Sequence, residues 1–102
     1  MDSSTEKISF NIIANSGDGR SFAFEALKSA RLGDFEKSEE LIKKSDESLN
    51  LAHKTQTELL CQEANGNKTD VDVLLIHAQD HLMTSILANE LIKEMILLYE
   101  NR

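Results

Sequence analysis

Apolar side chains recur at steps of three and four through most of this chain, and two short interruptions divide the pattern into three helices. Ile8, Ile12, Ile13, Ala23, Ala26, Leu27 and Ala30 mark the first. Gly33-Asp34 follows as a stop and an N-cap, with Glu36 suited to the positive end of the next helix dipole. Phe35, Leu41, Ile42, Leu49, Ala52, Leu59 and Leu60 form the apolar stripe of the second helix, with Lys43, Lys44, Asp46 and Glu47 on its wet side. Gly66-Asn67 ends that helix near Ala64, and Thr69 or Asp70 is the expected cap of the third. The predicted spans are about 5–32, 35–64 and 70–99, each roughly 40 Å long at 1.5 Å per residue. Short connections make sequential neighbours antiparallel, so residues 1–102 read as a single all-α domain, an up-down-up three-helix bundle. The weak point is Gly17-Asp18-Gly19: each interior glycine costs about 1 kcal/mol relative to alanine, and two together invite a kink.

The third helix carries more apolar surface than a lone bundle needs. At about 100° per residue, Val71 to Tyr99 is apolar nearly all the way round, broken by a charged strip of Asp72, Glu90, Lys93 and Glu94. Leu74, Ala78, Ile92 and Ile96 can serve the intrachain core. Leu87, Leu91, Met95 and Leu98 lie round the side and would form an exposed patch in a monomer, so this helix is expected to face other subunits. On the face continuing into that patch stand His77, Asp80, His81 and Thr84, gathered by the coincidence of i, i+3, i+4 and i+7 on a helix. A carboxylate buried at such a seam needs a partner, a proton or a cation, which makes Asp80 the most informative acid in the chain.

Composition narrows the functional classes. Glycine is scarce and proline absent, which favours helices over a turn-rich β fold. The net charge of −7 repels nucleic acid and anionic lipid, and no basic patch offsets it. The lone Cys61 has no intrachain disulfide partner and reads as a buried, inert thiol. Met1 to Glu6 lacks the basic and apolar regions of a signal peptide, and no stretch reaches the roughly 18 apolar residues of a membrane span, so a cytoplasmic location is expected.

The chemistry rests on the histidines. An imidazole is nucleophilic near neutral pH, because its unperturbed pKa is about 6.5 and one ring nitrogen can attack while the other is held by a hydrogen bond. His77 suits that role, with Gln79, His81 and Thr84 as nearby donors for the oxygens of a phosphoryl group. His53 reads as a hydrogen-bonded structural residue, and Arg20 as a solvated surface charge first, with an acid or a phosphate as its alternative partner. Spacing alone leaves open a second chemistry, in which His77, Asp80 and His81 ligate a structural metal in a non-enzymatic helical oligomer. Zinc hydrolysis does not fit, because Ala78 occupies the position where the metalloprotease pattern needs a glutamate.

The run His77-Ala78-Gln79-Asp80-His81-Leu82-Met83, preceded by Leu74-Leu75-Ile76, resembles the active-site segment of the lactose/cellobiose-type enzyme IIA family of the phosphoenolpyruvate-dependent sugar phosphotransferase system. The resemblance extends to Ala52-His53-Lys54-Thr55-Gln56-Thr57-Glu58-Leu59-Leu60, to Glu63-Ala64, to Ala26-Leu27-Lys28 and to Gly33-Asp34-Phe35, covering nearly the whole chain. It implies a parallel homotrimer of three-helix subunits and a phosphoryl carrier. The histidine phosphocarrier protein HPr would load His77, which would pass the group to a cysteine of the cognate IIB component. It further implies that Gln79 and His81 orient the phosphohistidine and that Asp80 contributes to one Mg2+ per trimer on the axis, a hard cation suited to oxygen ligands. The sugar would be a β-linked disaccharide such as cellobiose, lactose or chitobiose. Gly19 departs from the pattern, standing where the family's Gly-Asp-Ala-Arg run carries alanine. A histidine phosphotransfer module of two-component signalling also uses a helical histidine, but the Lys-Gly pair that follows it there is missing here.

Overall fold

A computed structural model describes residues 3–102 as three long helices: α1 (Ser3–Arg31), α2 (Phe35–Ala64) and α3 (Val73–Glu100). Met1 and Asp2, part of the stretch read above for a signal peptide, lie outside the described residues. The helices form an up-down-up bundle measuring 51 × 20 × 18 Å. At one end Ile12 packs with Ala52, Ala78 and Leu82, and at the other Ala23, Ala26 and Ala30 meet Leu41, Ile92 and Ile96. Helix α1 packs extensively on both of its neighbours, while α2 and α3 meet sparsely.

The reason lies in which residues of α1 turn inward. Apart from Ser29, its buried positions are Thr5, Ser9, Ile12, Ser16, Gly19, Ala23, Ala26 and Ala30, alternating in steps of four and three. In α3 the buried set is Leu75, Ala78, Leu82, Ser85, Asn89, Ile92 and Ile96, with the same alternation. This is the heptad spacing of coiled-coil packing, but in α1 the seam is made mostly of Ser, Gly and Ala, so neighbouring backbones can come close. A reading based on large apolar residues passes over such a seam. Ile8 and Ile13 sit at its edges, half-buried.

Close approach leaves polar groups to be satisfied in the interior. The Ser45 hydroxyl donates to the Gly19 carbonyl at 2.6 Å and accepts from Asn89 Nδ2 at 2.8 Å, tying one residue from each helix into a buried chain. The Ser38 hydroxyl donates to the Ala26 carbonyl at 2.9 Å. Ser9, Ser16 and Ser85 have no hydrogen-bond partner among the described residues, a desolvation cost of about 1–3 kcal/mol each.

The turns follow the sequence closely. Gly33 adopts φ of 86° beyond α1, where Gly33 N–H donates to Ala30 and Asp34 N–H to Ser29. Asp34 then caps α2 by accepting the Lys37 amide at 3.1 Å. The start of α3 differs from expectation: its cap is Asp72, which accepts the Leu75 amide at 2.8 Å, rather than Thr69 or Asp70. Asp72 therefore leaves the charged strip, and Lys93 of that strip pairs with Asp46 across the α2–α3 groove at 2.9 Å.

Other expectations are corrected too. Leu75 and Leu82 line the core ahead of Leu74, which is only half-buried, and Phe35 and Leu60 are exposed. Cys61 is an exposed free thiol, because it lies on the solvent side of α2 while Leu59 turns inward. His53 is likewise exposed and makes no side-chain hydrogen bond among the described residues.

No kink appears at Gly17-Asp18-Gly19, where α1 is continuous. Gly19 is instead a packing residue: a Cβ there would lie 2.6 Å from Leu49 Cγ and Cδ2 and 3.3 Å from the Ser45 carbonyl oxygen. At Gly17 an added Cβ would meet only His81 Nε2, at an ordinary 3.5 Å. Urea denaturation should separate the two positions. Gly17→Ala is expected to gain up to about 1 kcal/mol of helix propensity. Gly19→Ala should lose about 1–2 kcal/mol net, because overpacking against Leu49 outweighs the same gain.

Candidate functional site

Once Asp72 has fixed the start of α3, helical geometry sets the site. The core of this helix lies on the side of Ala78, Leu82, Ser85 and Asn89, so His77, Asp80 and Thr84 turn the other way, onto the face that runs down to Leu91, Met95 and Leu98. That strip is exposed, as the sequence indicates: Leu87 is 55% and Leu98 72% accessible. His77 is exposed at its upper end and His81, one turn on, is half-buried. Their rings stack with centroids 5.9 Å apart and planes within 8° of parallel.

Helix α1 supports this pair from behind. Gly17 faces His81 Nε2, and its missing side chain leaves the imidazole room against the α1 backbone. Burial pushes the His81 pKa below its ordinary 6.5, and the charges of Arg20 and His77 push it the same way, while Asp80 opposes them. Arg20 is thus part of the electrostatics of the site, a role that the sequence ranks second to a solvated surface charge.

The structure brings together only some of the expected site residues. Gln79 stands two residues from His77 and therefore on a different side of α3, where its Oε1 accepts a hydrogen bond from Gln56 Nε2 of α2. It is not a direct neighbour of His77 within one chain. The Thr84 hydroxyl is spent on its own helix, donating to the carbonyls of Asp80 at 3.0 Å and His81 at 3.3 Å. Asp80 is exposed and makes no ion pair among the described residues, so any burial of its carboxylate has to come from association. The three-ligand structural metal set at His77, Asp80 and His81 is not formed: among the described residues no group of three or more His, Cys, Asp or Glu converges. Parallel stacking of the two imidazoles presents ring faces to each other rather than aiming two nitrogens at one point. No helix among the described residues is long and apolar enough to cross a membrane.

Comparison with known proteins gives one consistent picture. Residues 7–100 match the model of the family described as PTS system, lactose/cellobiose specific IIA subunit. The crystal structure of the cellobiose-specific enzyme IIA of Bacillus anthracis superposes with a TM-score of 0.94 at 50% identity, covering 99% of this chain and 93% of that one. The N,N'-diacetylchitobiose-specific EIIA component of Escherichia coli K12 is 47% identical over 95 residues, 93% of this chain and 82% of that protein. A chain from the solution structure of an Escherichia coli IIA(chitobiose)–HPr complex aligns with a TM-score of 0.82 at 45% identity, over 95% of this chain and 94% of that one.

The depressed His81 pKa has a signed consequence. Because the folded value lies below the unfolded one, neutral His81 favours the folded state fully above pH 6.5, and that contribution is lost as pH falls through the lowered folded value. NMR titration of the three histidines should find the His81 midpoint below 6.5. A midpoint at or above 6.5 would show that the imidazole is not desolvated against α1.

Proposed function

The chain belongs to the lactose/cellobiose-specific IIA family of the sugar phosphotransferase system, and from that premise we propose that it accepts a phosphoryl group from phospho-HPr on His77 and donates it to a cysteine of the cognate IIB component. The observation that carries this reading is an exposed imidazole, stacked on a second one, at the upper end of an apolar strip. An exposed nucleophile can meet two protein partners in turn without a cleft. The likeness to a IIA captured with HPr supports the first partner.

Each transfer needs alignment and charge stabilisation more than covalent machinery. The His77 ring attacks phosphorus with one nitrogen, and the donor's P–N bond breaks as the new one forms. The electron pair of the broken bond stays on the donor imidazole, which takes up a proton, while the other ring nitrogen of His77 releases one. Stacking on His81 restricts rotation of the His77 ring, and neutral His81 can donate one N–H to a phosphoryl oxygen. Gln79, held by Gln56 on the α2 flank, can act on the phosphoryl group only from a neighbouring chain of the assembly. The sugar belongs to the β-linked disaccharides named for its relatives, cellobiose and chitobiose, together with lactose.

The assembly we propose is a parallel homotrimer closed through the α3 strip, since Leu87, Leu91, Met95 and Leu98 otherwise remain wet. Asp80 lies on that same face, so assembly would bring like charges together. A carboxylate from each of three chains suits a hard cation such as Mg2+, which would neutralise them. Each chain offers one such carboxylate, so the cation belongs to the assembly and not to the subunit.

Three experiments test these statements. Incubation with phosphoenolpyruvate, enzyme I and HPr should add one acid-labile phosphate per chain, and His77→Ala should abolish it; undiminished labelling of that variant would sink the assignment. Light scattering at micromolar concentration should give the trimer mass. Asp80→Asn should change the trimer's melting temperature and remove its sensitivity to chelators, whereas an Asp80 free of any interface would leave both unaltered.

A further inference from the structure

We propose that Arg20, reaching across from α1, is the cation that binds the oxygens of the phosphoryl group on His77. The inference rests on the phosphocarrier reading and adds a residue to it from a different helix.

The need comes from charge. A phosphohistidine adds close to two negative charges to a chain already at −7, beside the carboxylate of Asp80. The site helix cannot answer this, because from Val73 to Glu90 it contains no lysine or arginine, and the first cation of α3, Lys93, is paired with Asp46 on the α2 side. The compensating charge therefore has to come from a helix packed against the histidine pair.

Geometry singles out one residue. Helix α1 touches His81 directly at Gly17, where an ideal Cβ would stand 3.5 Å from Nε2. Because α1 and α3 run in the same direction, Arg20 lies one turn beyond Gly17, a rise of about 4.5 Å, on the far side of His81 from His77, and its long side chain has to reach back over His81 to the phosphoryl group. Of the other basic residues of α1, Lys7 stands about 140° round the helix from Arg20, and Lys28 and Arg31 lie at least eleven residues beyond Gly17, about 16 Å and more along the helix. Arg20 is exposed and makes no ion pair among the described residues, so its guanidinium has no competing carboxylate. Its charge helps to hold the His81 pKa below the ordinary value, after burial.

The chemistry is suited to the task. A guanidinium presents planar paired N–H donors that match two oxygens of a phosphoryl group, and a side chain several bonds long can follow the group as it passes between partners. Stabilisation of this kind acts on the transferring group and on the phosphorylated product, and leaves the resting fold untouched.

The test uses the full-length protein charged by phosphoenolpyruvate, enzyme I and HPr. Arg20→Gln is expected to lower the rate of His77 phosphorylation about tenfold or more. It should also move the 31P resonance of the phosphohistidine and leave the melting temperature unchanged, with Arg20→Lys intermediate in rate. A wild-type rate and an unmoved 31P resonance in Arg20→Gln would overturn the proposal. So would equal rates for the Lys and Gln variants, since a purely steric role predicts no rescue by charge. If the unmodified protein itself gains no phosphate on His77, the phosphocarrier reading fails instead, and the two failures are distinct.

Discussion

Close approach of α1 to both other helices is the constraint on which the molecule depends. It is possible because the inner seam of α1 is built from Thr5, Ser9, Ser16, Gly19, Ala23, Ala26 and Ala30, with Ile12 as its only large member. Small residues bring backbones near enough for Ser38 and Ser45 to donate hydrogen bonds to carbonyls of the facing helix, which large aliphatic residues would hold out of reach. The cost is an interior with fewer apolar contacts and three seryl hydroxyls without partners among the described residues. What this arrangement secures is register: Ser45 can meet both Gly19 and Asn89 only if all three helices stand at one height.

That register carries through to the site. With α1 and α3 locked in step, Gly17 falls opposite His81, and the stacked imidazoles are backed by main chain rather than by a side chain that could rotate away. The same packing leaves α3 with a second apolar face, since its inner seam is fully used by α1 and α2. The strip from Leu87 to Leu98 and the cluster of His77, Asp80 and Thr84 share that outward face. The histidine pair and the exposed apolar strip in this way share one side of one helix.

Polar bridges keep the sparse α2–α3 groove in place. Gln56 reaches Gln79 near one end and Asp46 pairs with Lys93 nearer the other. The second bridge is half exposed and contributes little by itself. The first has a larger consequence, because it holds Gln79 on the α2 side of α3, away from His77 of the same chain. A two-residue separation on a helix had made Gln79 look adjacent to His77, and helical phase alone argues against that.

The sequence by itself determined the number of helices, their turns at Gly33-Asp34 and Gly66-Asn67, the wet apolar strip of α3 and the family, because these depend on local periodicity, capping chemistry and a contiguous motif. His77, Asp80 and His81 could be gathered on one face for the same reason. The positions of Cys61, His53 and Gln79, the cap at Asp72 and the part played by Gly19 were decided only by tertiary structure. Whether a glycine kinks a helix or admits a neighbour depends on what stands opposite, here Leu49 from thirty residues away. Arg20 belongs with them: its charge matters because two parallel helices are held in register, and no local pattern along the chain encodes that distance.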